Sequence, residues 1–201
     1  TDKACQPVNV YGSSKFIAER MFTNFDYNSE STVFASVRYG NVIASRGSFI
    51  PLWKGLIESN QGIKVTSMDC SRFLFTLEDA VDTVLGALEN AQGGEVFIPK
   101  IKSYSMSTVI AAMKEVCNVE DIEFNVTGMR PGEKIHEDML AKTELEFTYE
   151  VDDKLLVELP QYTRKNHTFS KKYEGEEFNS SLHLSNDSSG LASVIKRGLK
   201  Q

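Results

Sequence analysis

The sequence predicts an α/β fold, because two patterns alternate along the chain. Short apolar runs rich in β-branched and aromatic residues have the length and composition of strands: "TVFASVRYG" (32–40), "IKVT" (63–66), "FLFT" (73–76), "EVFIP" (95–99) and "IEFNVTG" (122–128). Between them apolar residues recur at helical spacing, most clearly at Leu77, Ala80, Val81, Val84, Leu85 and Leu88. Strands separated by helices cannot close as hairpins, so a largely parallel sheet with helices on its faces is expected.

Taken in order, residues 8–25 read as a helix with Val10, Ser14, Ile17, Met21 and Phe25 near a 3.6-residue period. The strand at 32–40 follows and ends at a glycine. A helix at 49–60 carries Phe49, Ile50, Trp53, Leu56 and Ile57 on one side. The strands "IKVT" and "FLFT" lead into a helix at 77–90, which "QGG" stops before "EVFIP". A helix over 105–117 has Met106, Val109, Ile110 and Met113 on its apolar face, with Ser105 as N-cap. After "IEFNVTG", the stretch "RPGEKIHEDML" (130–140) reads as a turn running into a helix. The last fifty residues are polar and lack periodicity. Two regions are therefore expected: a core over 1–150, and an irregular tail over 151–201 packed on the body and ending in a short helix at 190–199.

A chain of 201 residues with 41% hydrophobic content can bury a substantial core. Its net charge of −6 argues against nucleic acid as a partner. No apolar run approaches the roughly 20 residues that span a bilayer, and no signal peptide is visible, so a cytoplasmic protein is expected. Cys5, Cys70 and Cys117 are odd in number and far apart, which fits a reduced compartment and buried thiols. His136, His167 and His183 lack metal-ligand spacing, so no metal is expected. The sequons at Asn125, Asn166, Asn179 and Asn186 read as chance matches in an Asn- and Ser-rich chain.

Chemistry enters with Tyr11 and Lys15. Four residues apart on a helix, they present a phenol and an ammonium to the same side. A free phenol, with a pKa of about 10, is a poor base, and a nearby positive charge favours the phenolate. Such a group can take a proton from an alcohol as hydride leaves its carbon. Alone, the pair is as easily a tyrosine beside a lysine on a surface. Three companions strengthen it: "TDKA" (1–4) sets a hydroxyl, an acid and an amine in a row, "RYGNV" (38–42) lies at a strand's carboxyl end, and "RPGEK" (130–134) offers an arginine and a glutamate on a turn.

In this order and spacing, "TDKACQPVNVYGSSK", "VRYGNVIASRGSFIP", "SRFLFTLEDAV", "GGEVFIPKI" and "GMRPGEKIHEDML" resemble the UDP-N-acetylglucosamine 4,6-dehydratases, which are extended short-chain dehydrogenase/reductases. The resemblance runs from residue 1 to about 150, and "YEGEEFNS" is similar to the family's C-terminal segment. It implies the C-terminal part of a Rossmann-like doubly wound parallel sheet plus a small substrate-binding lobe. It also implies that a complete enzyme carries roughly a hundred further residues upstream, with the glycine-rich pyrophosphate loop.

The implied reaction moves hydride from C4 of the sugar, eliminates water across C5 and C6, and returns hydride to C6. On the resemblance, Tyr11 is the base at the 4-hydroxyl, while Lys15 holds the nicotinamide ribose of NAD or NADP and favours the phenolate. Thr1 donates near the 4-oxygen, Asp2 protonates the departing 6-hydroxyl, and Lys3 takes the C5 proton. Tyr39 and Asn41 join the cofactor site. Asn41, Arg46, Ser48 and Pro51 contact the nucleotide sugar, with Arg72, Lys100, Arg130 and Glu133 completing the UDP site. A tyrosine at position 11, where other members have methionine, implies the soluble type that inverts C5. A homo-oligomer is expected for the complete enzyme. Two alternatives stay open: a nucleotide-sugar 4-epimerase, which has no leaving group for Asp2 to protonate, and a fragment that binds UDP-sugar without catalysis.

Overall fold

The computed structural model describes residues 1–159 and 171–200, so Asn166 and His167 lie outside the described residues. In chain order these form α1 (Val10–Asn28), β1 (Ser36–Val37), β2 (Asn41–Val42), α2 (Phe49–Glu58), β3 (Ile63–Val65), β4 (Ser71–Phe75), α3 (Leu77–Asn90), β5 (Glu95–Pro99) and β6 (Ser103–Ser105). They continue with α4 (Met106–Cys117), β7 (Phe124–Val126), β8 (Asp138–Leu140), β9 (Thr148–Val151), β10 (Lys154–Glu158), β11 (Phe178–Asn179) and α5 (Ser188–Gly198). The chain divides into two units: Thr1–Gly40 with Val81–Lys100 and Asp138–Asn179, and Asn41–Ala80 with Ile101–Glu137 and Ser180–Gln201.

The first unit is built on a four-stranded sheet in the order β1-β5-β10-β9. β1 runs parallel to β5, with Ser36 opposite Val96, whereas β10 is antiparallel to both β5 and β9. Every residue of β5 is buried, as are Leu155, Leu156 and Val157 of β10. A strand covered on both faces reads as a continuous apolar run rather than an alternation. The tail expected to be irregular from 151 onward thus contributes the strand beside β5. Asp152 and Asp153 join β9 to β10, with Val151 opposite Lys154 and Asp152 at φ +51°. Two turn residues between β-forming runs are a hairpin signal.

Two other expectations in this unit need correcting. The helix foreseen after "RPGEK" is absent; Asp138–Leu140 form β8, antiparallel to β11. Helix α1 exists, but the apolar residues whose period predicts it do not form its packed face and are exposed: Val10 by 87%, Ile17 by 57%, Met21 by 50% and Phe25 by 45%. Its buried residues are Gly12, Glu19, Thr23 and Asp26. Periodicity finds a helix without saying which side packs, and here polar pairing decides the side. In α3 likewise, the period is right but Val81, Val84, Leu85 and Leu88 are exposed.

The second unit has parallel pairs β2/β4 and β3/β7, and β6 runs antiparallel to β4. Its core joins Ile50 and Trp53 of α2, Val109 and Met113 of α4, and Leu191 and Ile195 of α5. Ser105 caps α4, its hydroxyl accepting from the Thr108 amide at 3.2 Å. Asn118 ends the helix in the left-handed conformation at φ +54°. Parallel and antiparallel pairings with helices between them make an α/β protein, as the alternation predicted. No described helix is long and apolar enough to cross a membrane.

Candidate active site

Residues 2–4 wind into one 3₁₀ turn, and the Asp2 amide donates to the Tyr39 carbonyl at 3.1 Å, which ties the turn to the end of β1. Asp2 is buried, 3% exposed, and its carboxylate receives the Lys3 ammonium at 2.7 Å and the Thr1 hydroxyl at 3.3 Å. Hydroxyl, acid and amine thus form one hydrogen-bonded string. A carboxyl and an amine in direct contact can exchange a proton, which suits a reaction needing an acid and a base side by side.

Asn9 caps the next helix, its side chain accepting from the Gly12 amide at 2.7 Å. One turn in, the Lys15 ammonium lies 5.2 Å from the centroid of the Tyr11 ring, and that ring is 61% exposed. The pair therefore faces open space with its charge beside the phenol. Gly12 lies between them in sequence, on the buried side of α1. A Cβ there would stand 2.9 Å from the Lys3 carbonyl oxygen and 3.0 Å from Pro7 Cβ. Glycine lets the helix lie directly on the Asp2–Lys3 turn. Gly12→Ala is expected to lower stability by about 1–3 kcal/mol in a urea titration, since these neighbours are backbone and ring atoms that yield little.

Deeper in the first unit is a charged cluster that the sequence reading missed. Arg38, 1% exposed, donates to Glu19 from Nε (2.7 Å) and Nη2 (2.6 Å). It donates to Glu144 from Nη1 (2.7 Å) and Nη2 (2.8 Å), and to the Met139 carbonyl from Nη1 (3.0 Å). Five N–H groups make five bonds. Glu144 also accepts from Arg20 at 2.8 Å and from the Ala141 amide at 3.1 Å. The available signal was an arginine in the middle of a strand-like run, where only a fully paired one is tolerated.

Burial alone would raise the Glu144 carboxyl, but Arg38, the Ala141 amide and Arg20 override it and hold it at about 2. The ordinary value is 4.5, so ionised Glu144 favours the folded state above that pH. That contribution is expected to disappear as pH falls from about 4.5 to about 2. Urea midpoints across this window check it: wild type should lose stability with acid more steeply than Glu144→Gln.

In the second unit, Asn41 opens β2 opposite Leu74 of β4. A turn with Ala44 at φ +63° and Gly47 at φ +78° carries the exposed Arg46. Ser48 is the residue before α2, yet its hydroxyl makes no cap bond; it is buried and without a hydrogen-bond partner. Pro51 is half-buried in the first turn of α2. Glu133 accepts from Thr66 at 3.1 Å through Oε1, while its Oε2 is buried without a partner. The exposed Arg130 anchors the same turn, its carbonyl accepting from the Glu133 amide at 3.0 Å.

Two residues expected in the UDP site have partners within their own units. Arg72 gives Nη1 to the Ser71 and Ile135 carbonyls (2.8 and 2.9 Å) and Nη2 to Lys134 (3.1 Å) and Glu133 (3.4 Å). It is a strut for the 130–135 turn, and by taking the carbonyls of Lys134 and Ile135 it withdraws acceptors that a helix there would use. Lys100, in the first unit, is paired with Glu150, which also binds Lys171.

A profile of a family described as polysaccharide biosynthesis protein matches residues 1–159. The chain is 36% identical over 181 residues to the inverting UDP-N-acetylglucosamine 4,6-dehydratase of Campylobacter jejuni, covering 88% of this chain and 53% of that protein. It is 36% identical over 147 residues to a UDP-glucose 4-epimerase of Rickettsia bellii, covering 72% and 43%. Among solved structures, the X-ray structure of Pen from Bacillus thuringiensis matches with a TM-score of 0.85 at 33% identity, over 98% of this chain and 59% of that one. The chain thus spans about half the length of the curated relatives it matches.

Proposed function

This chain belongs to the polysaccharide biosynthesis protein family, and from that premise we propose that the whole protein is a nucleotide-sugar 4,6-dehydratase acting on UDP-N-acetylglucosamine with inversion at C5. The observation that carries the reading is the Asp2–Lys3 contact at 2.7 Å on a turn bonded to the end of β1. The likeness to the C. jejuni dehydratase supports the substrate.

The exposed Tyr11 and its neighbour Lys15 suit the ribose end of NAD or NADP, which when bound supplies a transient oxidation and re-reduction of the sugar. Tyr11 takes the 4-hydroxyl proton and ends as the neutral phenol, with the Lys15 ammonium beside its ring. Once C4 is a ketone, the C5 proton is acidified, and Lys3 removes it. Asp2 gives a proton to the 6-hydroxyl so that it departs as water, and its contact with Lys3 lets one proton serve both steps. Thr1 orients the Asp2 carboxyl and reaches the 4-oxygen. Asn41, Arg46, Ser48 and Pro51, with Arg130 and the open oxygen of Glu133, hold the nucleotide sugar. Arg72 braces the turn that carries Arg130 and Glu133, donating to the carbonyls of Lys134 and Ile135. In this reading the enzyme works in the cytoplasm as a homo-oligomer.

The likeness to an epimerase favours one rival, a C4 epimerase. It would use Tyr11 and Lys15 and leave Asp2 and Lys3 without a task. Calorimetry separates a third reading: a sugar-binding fragment takes up UDP on this chain with no turnover in the whole protein. The dehydratase reading expects loss of water from UDP-N-acetylglucosamine and a 4-keto-6-deoxy product.

A further inference from the structure

Helix α1 has an unusual way of holding its place. Its buried residues are Gly12, Glu19, Thr23 and Asp26, with no large hydrophobe among them. Apolar ridges normally fix a helix's rotation and rise against its neighbours. Here directional polar bonds must do so. Glu19 lies one turn beyond Lys15 and two beyond Tyr11, at i, i+4 and i+8. Its carboxylate is held by both Nε and Nη2 of Arg38. Arg38 adjoins Tyr39, whose carbonyl receives the Asp2 amide. From the other side Glu144 and the Met139 carbonyl lock the guanidinium plane.

Such a network is a poor way to gain stability, because apolar residues of similar volume often serve as well or better in a buried site. What a doubly bidentate arginine supplies is a single geometry. From this we infer that Arg38, together with Glu19 and Glu144, is a positioning residue that sets the register of α1 and so places Tyr11 and Lys15 relative to Asp2 and Lys3. Its catalytic meaning rests on the dehydratase reading; the register itself does not.

The register is read on this chain alone, by NMR. The close approach of Gly12 to Pro7 is expected to give a nuclear Overhauser effect between Gly12 Hα and Pro7 Hβ, two turns of α1 away from Glu19, which Arg38 holds. Glu19→Gln keeps size but spoils the fork. The triple variant Glu19→Leu/Arg38→Met/Glu144→Leu replaces the network with apolar volume. Loss of the effect in either variant while circular dichroism and melting stay native supports the inference. Its persistence at wild-type intensity in a folded variant overturns it, and so does failure of both variants to fold, which would make the network a folding requirement only. In the whole protein the folded variants should lose about 10²-fold in kcat with KM unchanged. Should that protein prove not to be a dehydratase, the NMR result still decides the register.

Discussion

Arg38→Met is expected to lower the unfolding free energy by about 3–5 kcal/mol, enough to remove a large part of a typical domain's stability. The substitution leaves the carboxylates of Glu19 and Glu144 buried, 7% and 3% exposed, without the cation that neutralises them. Burial pulls the guanidinium toward losing its proton, and the two carboxylates more than reverse this, holding Arg38 well above its ordinary value. The charge is therefore fixed at every working pH, and Arg20, 2.8 Å from Glu144 and 4.0 Å from Glu19, replaces it only in part. A conventional surface pair offers the contrast. Lys54 is partly exposed and Glu58, one turn on along α2, is exposed, so breaking the pair should change stability by no more than about 0.5 kcal/mol. Urea unfolding of both variants measures the two numbers together. A loss below about 1 kcal/mol for Arg38→Met would mean that water reaches the cluster.

The second large effect concerns Asp2 and Lys3. In the whole protein, Asp2→Asn and Lys3→Met are each expected to slow water loss by about 10²–10⁴-fold, the range typical of a removed general acid or base. Because the two groups are in contact at 2.7 Å and share a proton, they act as one unit. The double variant should then be scarcely slower than either single one. Single-turnover rates of product formation test this. Additive losses would show that acid and base act separately, and unchanged rates would remove both residues from the chemistry.

How much of this was legible in the sequence depends on the kind of signal. Helices α3 and α4 and strands β3, β4 and β5 follow from local periodicity and composition, and they are where the patterns place them. What local pattern cannot state is which face of a helix finds a partner. Phe25 and Ile17 satisfy a 3.6-residue period, yet α1 turns Glu19 inward because Arg38 and Glu144, remote in sequence, are there to meet it. Strand β10 was hidden for a similar reason: Leu155–Val157 is a short apolar run inside a polar stretch, and only the pairing with β5 makes it a strand. At the candidate site, neighbours in sequence were readable as neighbours in space, as with Tyr11 and Lys15 or Asp2 and Lys3. For Arg72 the sequence shows a charge without showing the carbonyls of Ser71, Ile135 and Lys134 that accept from it.

One product analysis tests the central reading most directly: incubation of the whole protein with UDP-N-acetylglucosamine in heavy water, followed by NMR of the sugar. The account predicts a 4-keto-6-deoxy sugar nucleotide with inverted configuration and solvent deuterium at C5, because Lys3 removes that proton. A C4 epimer that keeps its 6-hydroxyl and its original hydrogen at C5 would contradict it.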